Sequence, residues 1–227
     1  MYNKFMSRIH ISPGADKLLK EYLIKEGHTL CEVHPASHVE PSIACHPDIY
    51  MCNMGDGIFF GDPSEPGDSY PANAIYNACS TGKFFIHNIK ITAPELLEAA
   101  RFRNQITVHV AQGYAKCSCV VVDENSIITA DGGIIRAAAA KGMDVLAVEP
   151  KQVVLEGYPY GFIGGASGRV GNSIIFNGNI KAHSDYERIK DFIARRGLDM
   201  IYFEQFPLTD IGSVIEEKIS EPGEATK

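Results

Sequence analysis

The residues with the most chemical reach in this chain lie in separate segments. Cys117 follows Lys116, whose charge beside the sulfur would favour the thiolate, the nucleophilic form of cysteine. His46 and Asp48 flank Pro47 and offer a base and a carboxylate. Asp210 and Ser213 fall in the segment LTDIGS near the end of the sequence. Each has a plain structural alternative: Cys117 as a strand residue, His46 as the anchor of a turn before proline, and Asp210 as a brace for a closing turn. A competing grouping is metal binding, because His34, His38, Cys45 and His46 crowd between residues 34 and 48 and are zinc-type ligands, although their spacing matches no zinc motif. The run GFIGGASGRVG over 161–171 lacks the Gly-Lys-Ser/Thr ending of a phosphate loop and leads into a strand, so no cofactor is expected. Its Gly164, Gly165 and Gly168 are read as sites of positive φ and close backbone approach. His10, His28, His87, His109 and His183 read as surface or strand-edge residues.

The elements that must position these groups repeat. Residues 73–110, 116–150 and 161–204 each read strand, turn, strand, helix, strand. In the second copy, 117–122 is β-branched and 134–141 is rich in alanine, ending at Gly142. In the first, Thr92 is expected to cap a helix. In the third, Ser184 with Glu187 has the spacing of a capping box. The two ends supply another copy: strand 8–11, a helix with Leu18, Leu19, Tyr22 and Leu23 on one face, and strand 29–33. The tail 207–215, PLTDIGSVI, is expected to pair with 8–11 and supply the missing first strand. A degenerate fifth copy is a hairpin around Gly55-Asp56-Gly57 followed by the loop 63–71. The expected fold is therefore α/β, about five ββαβ-type units in a ring closed by pairing of the two termini. Residues 1–227 then form a single domain.

Composition bounds the function. Lys+Arg 21 against Asp+Glu 28 gives a net charge of −7, which argues against a nucleic-acid partner. A hydrophobic fraction of 45% with 22% charged residues fits a packed core rather than disorder. No apolar run is long enough for a bilayer and no signal-peptide pattern opens the chain, so no membrane contact and a cytoplasmic location are expected. Six cysteines without CxxC spacing fit reduced thiols. The sequence sets no oligomeric state.

Five such units resemble the pentein fold of guanidino-group-modifying enzymes such as arginine deiminase and dimethylarginine hydrolase. More specifically, His46-Pro47-Asp48, the segment QGYAKCS at 112–118, the segment GYPYGFIGGASG at 157–168 and LTDIGS at 208–213 resemble an uncharacterised bacterial family assigned to that fold and known as a domain of unknown function. The resemblance implies that the first strand of each unit lines a shared centre. Asp48, Asn73, Asn77, Lys116, Cys117, the run Gly164-Gly165-Ala166-Ser167, Asp210 and Ser213 would then converge there. It further implies a nucleophilic cysteine, a histidine for proton transfer and carboxylates that hold a planar cation. Penteins carry that cysteine in the closing strand, where this chain has Gly212-Ser213 and no cysteine follows Cys119. Two readings follow. In one, a hydrolase or transferase acts at a guanidinium carbon, with Cys117 as nucleophile, His46 in proton transfer, Asp48 or Asp210 on the cation, and Lys116, Asn77, Gly165, Ser167 and Ser213 around a small polar ligand. In the other, the ring binds a small molecule or a partner without catalysis, and the aromatic rings of Tyr158, Tyr160 and Phe162 wall its pocket.

Overall fold

A computed structural model describes residues 7–219, a mixed α/β arrangement of five small sheets, none closed on itself. In chain order the elements are β1 (Ser7–Ile11), α1 (Lys17–Lys25), β2 (Thr29–Glu32), β3 (Met51–Asn53), β4 (Ile58–Phe60), β5 (Cys79–Ser80), β6 (Phe84–His87), α2 (Pro94–Phe102) and β7 (Ile106–His109). There follow the single turn α3 (Ala115–Ser118), β8 (Cys119–Asp123), β9 (Ser126–Thr129), α4 (Gly132–Ala139), β10 (Asp144–Ala147), β11 (Ser167–Val170), β12 (Ser173–Phe176), α5 (Tyr186–Ala194), β13 (Asp199–Ile201) and β14 (Ile215–Lys218). Among the described residues no helix is long and apolar enough to cross a membrane.

The sheets share one pattern. In three of them an antiparallel pair is followed by a helix and a strand parallel to the second member: β5-β6-β7, β8-β9-β10 and β11-β12-β13. The chain ends make a fourth, with β14 antiparallel and β2 parallel to β1. The fifth is the hairpin β3-β4 alone, followed before β5 by no α-helix but by a single 3-10 turn at Ala72–Ala74. Between sheets, β14 packs beside β3 and β11, β11 beside β8, β8 beside β5, and β5 beside β3. Apolar cores fill the spaces behind these strands. Phe176, Ile189 and Val120 are buried together in one, and Ile9, Leu19 and Ile175 in another. Helix α4 starts where the Asp131 carboxylate accepts from Gly133 N and Ile134 N, and α1 where Asp16 accepts from Leu18 N.

Several local expectations are corrected. Thr92 does not cap α2, because its hydroxyl is engaged by Asn88 O and His87 Nδ1. Ser184 accepts from Gln152 Nε2 instead of capping α5. Cys117 belongs to α3, with the strand starting at Cys119. The partner of β1 is 215–218 rather than 207–215. The carboxylate of Asp210 draws in two backbone N–H groups, and Gly212 and Ser213 take φ of +72° and +77°, so the chain turns there before it can extend. His87 and His183 are buried, not surface residues.

Candidate functional site

Three loops bring the chemistry together. His46 takes an extended conformation before Pro47, as a residue preceding proline should, and Pro47–Ile49 form one 3-10 turn that carries Asp48 inward. Asp48 N donates to Gly212 O at 3.3 Å, tying this turn to the LTDIGS segment. Cys117 is set by Asn77, whose Oδ1 accepts from Lys116 N (3.0 Å) and Cys117 N (3.1 Å) and whose Nδ2 donates to Cys117 Sγ (3.3 Å). Asp210 is fixed by accepting from Phe162 N (2.9 Å) and Gly212 N (3.0 Å).

The glycines matter through approach, not through φ. None of Gly164, Gly165 and Gly168 has positive φ, which corrects half of the expectation for them. A Cβ on Gly165 would lie 2.0 Å from Asp210 Oδ1, and one on Gly164 would lie 2.4 Å from the carbonyl oxygens of Lys116 and Cys119. Gly212 has both constraints, since a Cβ there would meet His46 Cβ at 2.0 Å and φ is positive.

The side chains form a connected set. Cys117 Sγ donates to Asp48 Oδ2 at 3.0 Å, and Ser213 Oγ donates to the same oxygen at 2.7 Å. Lys116 Nζ donates to Ser213 Oγ at 2.9 Å. On the other side of the sulfur, ligand atoms of His46, Cys117 and Asp210 all lie within 4.8 Å of one another, with His46 Nδ1 3.9 Å from Asp210 Oδ1. Asp48, Asn77 and Ser213 are fully buried, and Asp48 Oδ1 has no hydrogen-bond partner.

Burial dominates the electrostatics. It pushes the Cys117 thiol well above its ordinary value, and the charges of Asp48 and Asp210 push it the same way. That corrects the expectation of a thiolate favoured by Lys116, whose ammonium is turned to Ser213 and the Gly164 carbonyl. Burial also raises Asp48, against the opposing pull of His46 and Lys116, and raises Asp210 to about 6. It lowers His46, against the pull of Asp48.

A cavity of about 250 Å³ opens on this cluster. Its polar wall is His46, Cys117 and Asp210. The rest is the aromatic residues Tyr114, Tyr158, Tyr160 and Phe162 together with Ile43, Ile49, Leu155 and Pro159. Of the other residues singled out from the sequence, Asp48, Asn77, Lys116, Gly165 and Ser213 surround the cluster without lining this cavity. Ser167 bonds through Oγ to Gly164 O and is buried in β11. Asn73 accepts from the Tyr114 hydroxyl at 2.7 Å. Tyr114 was missed as a wall residue, although it sits inside the QGYAKCS segment. The Lys116–Ser213–Asp48 chain was missed as a connection, because nothing in sequence spacing relates residue 213 to residues 48 and 116.

His46, Cys117 and Asp210 are also the grouping, among the described residues, whose atoms are close enough to hold a metal ion. His34, His38 and Cys45 do not join it. His34 and His38 are exposed, and His38 Nε2 bonds to Pro66 O. The expected His34–His38–Cys45–His46 ligand set is thus not assembled among the described residues.

No curated protein matches the chain. Over residues 61–215, a span that holds Cys117, Asp210 and Ser213 but begins after His46 and Asp48, it matches DUF6873, described as a family of unknown function, and the chain belongs to that family.

Proposed function

We propose that the chain is a pentein-type ring whose central cavity binds a small guanidino compound and uses Cys117 on its guanidinium carbon. The ring reading is supported by the order of neighbours β14, β11, β8, β5, β3 and back to β14, which visits every sheet once and returns to its start. The observation that carries the chemistry is Cys117 Sγ 3.0 Å from Asp48 Oδ2, with His46 and Asp210 within 4.8 Å at the floor of a cavity.

In this reading Asp210 holds the cation, because its carboxylate lines the cavity and keeps lone pairs beyond its two backbone bonds. Asp48 takes the proton from Cys117 as sulfur attacks the guanidinium carbon. The S–C bond forms while the C=N π pair moves to nitrogen. His46 relays that proton from Asp48 to the departing nitrogen, the C–N bond breaks as a remaining nitrogen lone pair re-forms the C=N bond, and ammonia or an amine leaves an S-bound amidinium. Water then attacks the same carbon and the C–S bond breaks. One proton of that water passes to the leaving sulfur, the other leaves to solvent, and the product is a urea.

A second reading, binding without catalysis, is favoured by one observation: Cys117 is buried, and burial pushes its thiol well above the ordinary value. One experiment separates them. A panel of guanidines is incubated with the protein and assayed for ammonia, ureido product and urea. Release that disappears in Cys117→Ala supports the catalytic reading. Release that persists in that variant, or no release despite measurable binding, overturns it.

A further inference from the structure

We infer that the cavity selects guanidinium compounds carrying an uncharged aromatic or alkyl substituent and rejects guanidino amino acids such as free arginine; this rests on the guanidino reading above and names its substrate class. The histidine, thiol and carboxylate of the wall, His46, Cys117 and Asp210, gather within 4.8 Å of one another. The rest of the wall includes Tyr114, Tyr158, Tyr160, Phe162, Leu155 and Ile43. The rings stand at varied angles, Tyr160 to Phe162 at 87° and Tyr114 to Phe162 at 39°, each pair with centroids 6.4 Å apart. Such faces and edges attract both an apolar body and the π-facing side of a cation.

Among the described residues no lysine or arginine lines this cavity. A guanidino acid would therefore bring its carboxylate out of water with no cation on the wall to receive it, which is costly in a confined site. The wall residue Tyr158 adds to that cost, because its Oη donates to the carboxylate of Glu40 and so holds a negative charge beside the wall. Lys151 lies 5.6 Å over the Tyr160 ring, but it is exposed and its field is screened by solvent. At about 250 Å³ the cavity falls below the usual range of roughly 300–1,000 Å³ for ligand pockets, which favours a compact substituent.

The test is isothermal titration of Cys117→Ser, in which the nucleophile is removed, with phenylguanidine, butylguanidine, guanidinium, arginine and the neutral isostere phenylurea. Phenylguanidine and butylguanidine are expected to bind at least about tenfold more tightly than arginine, and phenylguanidine more tightly than phenylurea. Tyr158→Ala, a change at a half-exposed wall position, is expected to weaken phenylguanidine binding several-fold more than guanidinium binding. Phe162→Leu gives the same readout from the inner wall. Arginine binding as tightly as phenylguanidine overturns the selectivity and leaves the thiol chemistry standing. The predicted preference without turnover by the unaltered protein overturns the thiol chemistry and leaves the selectivity standing. Absence of binding by every guanidine overturns both.

Discussion

At the scale of single residues, the site is organised around a thiol pushed well above its ordinary value. Two aspartates lie near Cys117, the nearer one accepts its proton in a hydrogen bond, and burial adds to both effects. Alkylation kinetics should report this. At neutral pH iodoacetamide is expected to modify the half-buried Cys31 and Cys45 well before Cys117, with peptide mass spectrometry as the readout. Asp48→Asn removes a negative charge that raises the thiol, so Cys117 should then be alkylated several-fold faster at fixed pH. An unchanged rate would mean that access, not charge, limits the sulfur. The residue types of this cluster were readable from the sequence, since Cys117, His46, Asp48 and Asp210 are rare polar groups in otherwise apolar or glycine-rich segments. Their electrostatic state was not. The adjacency of Lys116 suggested a thiolate, but neighbours in sequence on a one-turn helix point different ways, and Lys116 instead reaches Ser213.

At the scale of elements, the site depends on loops pressed together where side chains are missing. Gly165→Ala would place a methyl group 2.0 Å from Asp210 Oδ1, against a carboxylate already fixed by two backbone donors. Overpacking of this kind costs about 1–3 kcal/mol, so the urea midpoint should fall while the slope of the transition stays the same. The glycine run was legible as a place of close approach. Which carboxylate it approaches was not, because contact across 45 positions leaves no mark in one sequence. The same limit hid the role of His87 in β6. Its ring lies between Thr92 Oγ1 (2.7 Å) and Gly113 O (2.8 Å), fully buried, and burial lowers it to about 4. A histidine held neutral in the folded state contributes stability that is complete above the ordinary value of about 6.5 and lost as pH falls toward 4. Asp210 has the opposite sign, because a raised carboxylate favours the folded state as pH falls through about 6. The total therefore mixes both, and a difference isolates the histidine. The stability gap between the unaltered protein and His87→Gln should shrink on going from pH 7 to pH 4.5, by up to about 3 kcal/mol. A gap that does not change with pH would show that His87 titrates normally.

At the scale of the whole molecule, the order of elements follows from repetition that the sequence displays openly: strand pairs before each helix, spaced by turn residues and ended by glycine. The one unit split between the chain ends is the least local part of that order. Its pairing was anticipated, but its register was displaced, because residues 207–215 carry strand-like character while Asp210, Gly212 and Ser213 are recruited to the site and forced to turn. The strand that results, β14, pairs Ile215 with His10 and Glu216 with Ile9, and buries Ile215. It also packs beside β3 and β11, so it joins the sheet of the termini to two others. A chain ending at Val214 would lose this strand while keeping every residue of the cavity wall. Burial of Ile215 is worth about 2 kcal/mol and each ladder hydrogen bond about 1 kcal/mol. Removal should therefore lower stability by about 5 kcal/mol and the thermal midpoint by roughly 10–20 °C. Exposure of β1 as a free edge should also promote self-association, visible by size-exclusion chromatography. If the shortened chain melts at the same temperature, pairing of the termini is dispensable. If it melts lower but still binds a guanidine with unchanged affinity, the site is built by the loops at 46–48, 114–117 and 208–213 and does not need β14.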